Sequence, residues 1–354
     1  MMWLVDAWYR GAWWLQLLRP LSWLFNLLAA ARRGRLTAQQ CTSALPVIIV
    51  GNLTVGGAGK TPVVLALGSA LRQQGWRVGV LSRGYGGQSR HYPLFVGADT
   101  DVRASGDEAR LLRRHHRGPL VVDPDRCRGL RALEESGLCD VVVCDDGLQH
   151  YRLGRDIEIV VVDAERGFGN GLTLPAGPLR EPAQRLAGVD VIVLNGKQAE
   201  AQLATTLEQQ SAPIGSVHLQ PAAWINVKTG QRVSLQNFQM VKLSDESDKR
   251  QVYAIAGIGH PQRFFESLSA MGITAHCEGF PDHYAYRAAD LSFAGKDLLL
   301  MTEKDAVKCE RFAQDNWWYL AIEPQLDKDV LTAVINRLNT IRSTSANMGD
   351  KEHG

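Results

Sequence analysis

The tryptophan-rich N-terminal segment lacks an uncharged run long enough to cross a membrane. Its longest stretch without a charged residue extends only from Pro20 to Ala31, whereas a spanning helix needs about 18 or more apolar residues. The chain also lacks a large excess of either positive or negative charge, because its formal net charge is only +2. Residues 1–36 carry five arginines and one aspartate, so the positive charge belongs to this segment. The rest of the chain has no basic surface of the kind that binds nucleic acid.

Paired cysteine motifs are also missing. The six cysteines form no CxxC pair and have no zinc-like spacing. Two of them flank the apolar run DVVV, where a thiol usually behaves as a small apolar side chain. We therefore expect reduced, structural thiols in a reducing compartment. They are Cys41, Cys127, Cys139, Cys144, Cys277 and Cys309.

The N-terminal segment, residues 1–36, predicts an amphipathic helix that lies on a membrane surface. It holds five tryptophans together with its arginines, and such segments place rings at the headgroup level and cations on anionic lipid. Pro20 should kink or restart the helix. Two other interpretations remain open: a signal peptide, although a basic start is missing, and a helix that packs on the protein's own body.

The remaining sequence alternates apolar strands with helical periodicity, which predicts an α/β fold with a parallel sheet covered by helices on both faces. We expect a P-loop NTPase-like core over residues 37–165 and a smaller α/β lobe with a C-terminal helix over 166–342. Residues 343–354 read as a disordered tail. The Gly- and Pro-rich stretch from Arg166 to Glu181 is typical of a functional loop.

The stretch VGNLTVGGAGKT, from Val50, closely matches a phosphate-binding loop. It follows an apolar strand and opens a helix, which is the context that such a loop requires. Thr54 stands where the usual pattern has its first glycine, but three later glycines allow backbone N–H groups to converge on an anion. The residues predicted to bind ATP are Thr54, Val55, Gly56, Gly57, Ala58, Gly59, Lys60 and Thr61.

Carboxylates for a metal ion follow a second apolar strand. Lys60 would reach the β- and γ-phosphates, and the Thr61 hydroxyl would bind Mg²⁺. A P-loop enzyme also needs an acid at the end of a neighbouring strand, and Asp145 and Asp146 follow the run CDVVVC. Side chains alternate along a strand, so these two acids should point in different directions and only one would touch the metal directly.

Three further clusters carry ionisable groups in loops. SGDE, from Ser105, opens a helix, and acids there also suit the helix dipole. FPDHYAY, from Phe280, follows a strand and reads equally well as a solvated turn. LPAGPLREP, from Leu174, offers Arg180 to neutralise phosphate charge and Glu181 as a further metal ligand.

Taken together, the clusters resemble one family, the tetraacyldisaccharide 4'-kinases of lipid A biosynthesis. The matching stretches cover most of residues 46–308, and Thr54 itself fits this family's form of the loop. In chain order they are VGNLTVGGAGKTP, LSRGYGG, SGDE, DDGLQH, LPAGPLREP, AGIGHPQRFF, FPDHYAY and MTEKDAVK.

The resemblance implies ATP-dependent phosphorylation of the 4'-hydroxyl of an acylated glucosamine disaccharide 1-phosphate, on the cytoplasmic face of the inner membrane. It implies that Asp107 is the general base and His283 its partner. Tyr284 stands where relatives often carry a second histidine. By the same carry-over, the residues serving ATP and Mg²⁺ are Lys60, Thr61, Asp145, Asp146, Arg180 and Glu181. A membrane surface is then an expected partner, and no obligate protein partner is expected.

Two other functions share parts of this pattern. Membrane-associated switch ATPases of the partitioning type also combine a GGxGKT loop with an amphipathic helix, but their loops carry a lysine where this chain has Val55. A soluble kinase or ligase for a small metabolite would need the N-terminal helix only as a packing element.

Overall fold

The computed structural model describes residues 2–196, 198–238, 251–282 and 284–349. Thirteen strands within these ranges form one continuous sheet, in the order β11-β10-β12-β13-β8-β7-β6-β1-β5-β2-β4-β3, with β9 paired to β8. The strands are Val47–Gly51 (β1), Val78–Ser82 (β2), Leu94–Phe95 (β3), Leu120–Val122 (β4), Val141–Asp145 (β5), Ile157–Asp163 (β6), Val191–Asn195 (β7), Ile214–Asn226 (β8), Arg232–Val233 (β9), Val252–Ala256 (β10), His276–Gly279 (β11), Leu298–Thr302 (β12) and Trp317–Leu326 (β13).

Helices connect these strands and cover the sheet. The α-helices are Met2–Arg10 (α1), Arg19–Thr37 (α2), Lys60–Gln73 (α3), Val102–Ser105 (α4), Asp107–His115 (α5), Arg126–Glu135 (α6), Ala201–Leu207 (α7), Leu235–Phe238 (α8), Pro261–Ala270 (α9), Glu303–Cys309 (α10) and Lys328–Gly349 (α11).

The first lobe contains strands β1 to β7, and its centre is parallel. Strand β1 pairs in parallel with both β5 and β6, and all three are buried along their whole length. One face of this sheet packs against α3, α5 and α11. The other face packs against α6 and α7. The predicted parallel sheet with helices on both faces is confirmed.

The second lobe is built on β10 to β13, with α9 packed on one face and α10 on the other. Two long strands join the lobes: β8 pairs in parallel with β7 at its start and antiparallel with β13 further on. The hydrophobic cores divide at a different place from the predicted boundary at residue 166. Strand β7 extends the first sheet, and α11 packs against the first lobe, because its apolar positions Val330, Val334 and Leu338 are buried there.

The N-terminal segment forms α1, a 3₁₀ turn over Trp13–Leu18 and α2. A new helix does begin beside Pro20, which is tolerated in a first turn. One side of the segment packs on the body, where Trp8 and Leu15 are buried. The other side is exposed and apolar, with Trp23 84% accessible. Among the described helices, none has the length and apolar character needed to cross a bilayer.

Two expectations were wrong. Cys41 and Cys127 are not free thiols but form a disulfide, across 86 residues of sequence that spacing alone could not connect. The predicted disordered tail begins too early, because α11 continues to Gly349. Its last turns have no proline, and the Ser343 and Thr344 hydroxyls donate to the Thr340 carbonyl of the preceding turn. Residues 350–354 lie outside the described ranges.

Candidate active site

The phosphate loop lies between β1 and α3, as the sequence predicts. Gly59 precedes α3 with a positive φ of 86°, a conformation that glycine adopts without steric cost. A Cβ at Gly59 would also lie 2.1 Å from Asn195 Nδ2, which donates to the Ala58 carbonyl. Both the backbone conformation and the close approach of β7 therefore require glycine here.

Thr54 is tolerated because the chain is locally extended at this point. It makes an antiparallel bridge with Leu179, and the next amide, that of Val55, donates to the Pro178 carbonyl at 2.9 Å. Extended backbone needs no glycine. The loop is thereby held against the Leu174–Glu181 stretch, and Asn52 braces it by donating to the Thr54 carbonyl at 2.9 Å.

Lys60 and the two aspartates meet at the carboxyl edge of the sheet. The parallel register pairs Val50 of β1 with Asp145 of β5, so the loop and the acids leave the sheet side by side. Lys60 Nζ lies 3.4 Å from Asp146 Oδ1 and donates to Asn52 Oδ1 at 3.1 Å. Thr61, the next residue of α3, is half-buried beside them.

Asp145 and Asp146 have different surroundings, as the alternation of side chains along a strand predicts. Asp145 is buried, and its Oδ1 has no hydrogen-bond partner among the described residues. Burial, reinforced by the negative charge of Glu108, raises the pKa of Asp145 to about 7. For Asp146 burial acts in the same direction, but the cations Lys60 and Arg180 outweigh it and lower its pKa.

Arg180 and Glu181 are adjacent in sequence but have different surroundings. Arg180 Nη1 lies 3.6 Å from Asp146 Oδ1, which brings it to the phosphate loop. Glu181 is buried and accepts from Gln149 Nε2 at 2.9 Å. Its Oε2 lies 3.6 Å from the guanidinium of Arg185. Arg180 therefore faces the loop directly, whereas Glu181 is tied to it through Gln149, which also bonds Arg180.

A cavity of about 340 Å³ opens beside Arg180 and Glu181. One wall is apolar and comes from α2, through Phe25, Leu28 and Ala29. The remaining lining residues carry polar or charged groups and include Arg32 and Gln149. The cavity therefore joins the N-terminal segment to the residues around the phosphate loop.

Helix α5 brings acids to the same site. Asp107 is its first residue, and Glu108 is close enough to Asp145 to raise the pKa of that buried carboxyl. Lys304 of the second lobe reaches across to them, with its Nζ 3.6 Å from Glu108 Oε1 and 3.1 Å from Asp282 Oδ1. The site is therefore assembled from both lobes. His283 follows Asp282 in the chain but lies outside the described residues.

Sequence reasoning assigned no role to several residues of this site. Asn52, Gln149 and Lys304 each lie inside a stretch that carried the family resemblance, so their position was the available signal. Asn195 ends an apolar strand and had no such signal. No described group of three or more His, Cys, Asp or Glu side chains has the arrangement of a metal site.

Comparison with known proteins agrees with this geometry. The family model described as tetraacyldisaccharide-1-P 4'-kinase matches residues 14–339. Tetraacyldisaccharide 4'-kinase of Pseudomonas aeruginosa (strain LESB58) is 47% identical over 90% of this chain and 92% of its own length. The enzyme of the same description from Hahella chejuensis is 43% identical over 96% of this chain and 98% of its own length.

The fold leads to the same family. The crystal structure of LpxK from Aquifex aeolicus in complex with ATP superposes with a TM-score of 0.71 at 28% sequence identity. The match covers 92% of this chain and 99% of that one. Sequence, fold and the phosphate loop between β1 and α3 thus agree, and the chain belongs to the tetraacyldisaccharide-1-P 4'-kinase family.

Proposed function

We propose that this kinase transfers the γ-phosphate of ATP to the 4'-hydroxyl of a tetraacylated glucosamine disaccharide 1-phosphate, at the cytoplasmic face of the inner membrane. The observation that carries the proposal is the meeting of Lys60, Asp146 and Arg180 at the carboxyl edge of β1 and β5, beside the acids of α5. Phosphoryl transfer depends mainly on positioning and charge neutralisation, and this edge supplies both.

The nucleotide phosphates would lie against residues 54–61. Gly56 has a positive φ of 100° and is exposed, so its backbone is open to a bound anion. Lys60 would contact the β- and γ-phosphates, and Arg180 would neutralise charge on the transferred group. Both cations pair with Asp146, which holds them beside the loop.

Mg²⁺ fits the same edge. The buried Asp145 Oδ1 without a hydrogen-bond partner is an oxygen donor of the kind that this ion prefers. Thr61 and the Asp145–Asp146 pair would hold the ion. Glu181 would act at a distance, because Gln149 and Arg185 already engage it. When bound, Mg²⁺ would withdraw charge from the phosphate oxygens.

Asp107 would accept the proton of the acceptor hydroxyl. As the sugar oxygen bonds to the γ-phosphorus, the bond to the bridging oxygen breaks, ADP leaves, and the hydroxyl proton passes to the Asp107 carboxylate. The position of Asp107 supports this role. It begins α5 beside Glu108, and the charge of Glu108 raises the pKa of Asp145, so this end of α5 lies near the two aspartates at the end of β5. We keep His283 as its partner on the family resemblance.

The acceptor would enter from the membrane through the cavity beside α2. Each buried CH₂ of an acyl chain contributes about 0.8 kcal/mol, so a tetraacylated lipid stays in the bilayer and the enzyme must approach it. The apolar wall of the cavity suits acyl chains, and the polar side chains of Gln149 and Arg180 suit the sugar. The exposed tryptophans and leucines of α2 would rest on the leaflet surface.

Turnover with the lipid acceptor tests the proposal. Purified protein, Mg²⁺-ATP and the tetraacyldisaccharide 1-phosphate in mixed micelles should give a product with one added phosphate, which phosphorus NMR locates at the 4'-position. A disaccharide already phosphorylated at this position is the control and should accept nothing. ATP hydrolysis at an equal rate without lipid would instead favour the switch ATPase.

A further inference from the structure

We propose that Lys304 is a positioning residue for phosphoryl transfer: from the second lobe it fixes the first turn of α5, and with it Asp107. The inference rests on the proposed role of Asp107 as proton acceptor. Lys304 lies in MTEKDAVK, a stretch to which the sequence assigned no chemistry. It would act through the carboxylates around it and would not touch the reacting atoms.

The contacts of Lys304 join three elements that are distant in sequence. Its ammonium donates to Asp282 Oδ1 at 3.1 Å, in the turn after β11, and lies 3.6 Å from Glu108 Oε1 of α5. Lys304 itself is the second residue of α10. One side chain thus links the β12–α10 junction, the turn that precedes His283 and the helix that begins with Asp107.

The charge balance indicates that this lysine remains an ammonium. Burial lowers the pKa of Lys304, but the negative charges of Glu108, Asp282 and Asp107 outweigh it and raise the pKa. Its side chain is only 17% exposed, so water screens the cluster weakly. Without the ammonium, three carboxylates would repel one another at the point where the lobes meet.

Local helix preference does not explain a lysine at this position. A cation in the first turn of a helix is unfavourable, because the N-terminal end of the helix dipole is positive. The turn already has its stabilising groups, since Thr302 caps α10 by accepting from the Asp305 amide. A residue that breaks a local rule indicates a role elsewhere, and here Lys304 is paired with Glu108 and Asp282.

The test compares Lys304→Met with Lys304→Arg. Misplacement of a catalytic group by about 1 Å costs on the order of 10²-fold in rate, so we expect Lys304→Met to lower kcat by about 10- to 100-fold. The KM for ATP should change by less than about threefold, because Lys60 and the glycines remain in place. Lys304→Arg keeps the charge and should recover most of the lost kcat.

Arg311→Gln is the matched control. Arg311 also pairs across the lobes, with Asp101, but both side chains are about half exposed, and Asp101 caps α4 whereas Lys304 contacts α5 itself. Its kcat should stay within about twofold of the parent, as expected for an exposed pair. Equal losses in Arg311→Gln and Lys304→Met would overturn the proposal, because any lobe contact would then serve.

Asp107→Asn separates this inference from the proposed function. If Asp107→Asn keeps normal turnover, the assignment of the proton acceptor is wrong. If Asp107→Asn is inactive while Lys304→Met is fully active, only the inference about Lys304 is wrong. In the double variant we expect no further loss beyond Asp107→Asn, because the lysine acts through that carboxylate. Lys304→Gln gives the same comparison should the Met variant fail to fold.

Discussion

The two lobes share a parallel α/β construction but use the carboxyl ends of their strands differently. In the first lobe, the segment after β1 supplies a glycine-rich loop and a lysine, and the end of β5 supplies two aspartates. In the second lobe, the segments after β10 and β12 supply Gly259, which lies close to Gly57 of the phosphate loop, and Lys304, which pairs with Glu108. The first lobe thus carries the phosphate loop, and the second lobe approaches that site from the opposite side.

This difference shows why one motif does not define the site. A ligand in an open α/β sheet lies at the carboxyl ends of its strands, and the first lobe meets that condition alone. The second lobe adds contacts from the opposite side, at Gly259 and Asp282, both close to Gly57. Substitutions in the two lobes should therefore have different kinetic signatures.

The largest effect should come from Lys60 in the first lobe. Lys60→Met removes the cation that lies 3.4 Å from Asp146, so we expect kcat to fall on the order of 10³-fold. Turnover with the lipid acceptor measures this. Lys296→Met, at an exposed position of the second lobe, is the control and should keep normal activity. A small loss of kcat in Lys60→Met would contradict the proposal that the first lobe binds the phosphates.

Membrane binding should depend on the first lobe alone, since the N-terminal segment is attached there. Trp23→Glu removes an 84% exposed ring from the apolar face. A buried aromatic contributes about 2 kcal/mol, so partition into anionic vesicles should weaken roughly 30-fold. Vesicle sedimentation gives the partition coefficient. Gln39→Glu adds the same charge just beyond the segment and should bind nearly as the parent does.

Gly259 tests whether the second lobe reaches the nucleotide. A Cβ there would lie 3.2 Å from the Gly57 backbone, so Gly259→Ala must displace the loop by a few tenths of an ångström. We expect the KM for ATP to rise about fivefold with a smaller change in kcat. Gly279→Ala is the control, because its Cβ would make only ordinary contacts with Pro261. An unchanged KM in Gly259→Ala would show that the lobes act independently.

The last prediction concerns the acid stability of the first lobe. Burial, together with the charges of Arg72 and Arg113, lowers the pKa of His116 to about 4 from its ordinary 6.5. The neutral histidine therefore contributes stability that is present above pH 6.5 and is lost as the pH falls towards 4.

Urea unfolding between pH 7 and pH 4 measures this loss as a fall in the free energy of unfolding. His116→Gln cannot titrate and keeps an acceptor for Arg72, which now donates to His116 Nδ1 at 2.9 Å. The variant should lose less stability over the same interval. An identical pH dependence in the two proteins would assign the acid sensitivity to other groups.

The sequence predicted local elements well and distant pairings poorly. Strand β6, helix α5 and strand β10 can each be recognised from the sequence, since each has a clear apolar period or cap. Strand β8 cannot be recognised in this way, because its central residues are mostly exposed and include Pro221, so it lacks the alternation of a half-buried strand.

The same limit applied to the site. Lys60 and Asp145 follow from a loop and a strand that are each readable locally, and the parallel register then brings them together. The contact of Lys304 with Glu108 joins residues almost two hundred positions apart and depends on how the two lobes meet. Likewise the Cys41–Cys127 bond depends on packing that no spacing pattern specifies.

The attachment of the N-terminal segment to the body should fix the distance of the active site from the membrane surface, in addition to providing affinity for the membrane. Trp8 Nε1 donates to the Pro175 carbonyl at 3.0 Å, and the Ser22 hydroxyl donates to the Thr173 carbonyl at 2.7 Å. These carbonyls belong to the same short stretch that ends in Arg180 and Glu181. We therefore expect the segment to act as a spacer of fixed length: once its apolar face meets the leaflet, Arg180 stands at a set level above the lipid, and sugars presented at that level are in register for transfer.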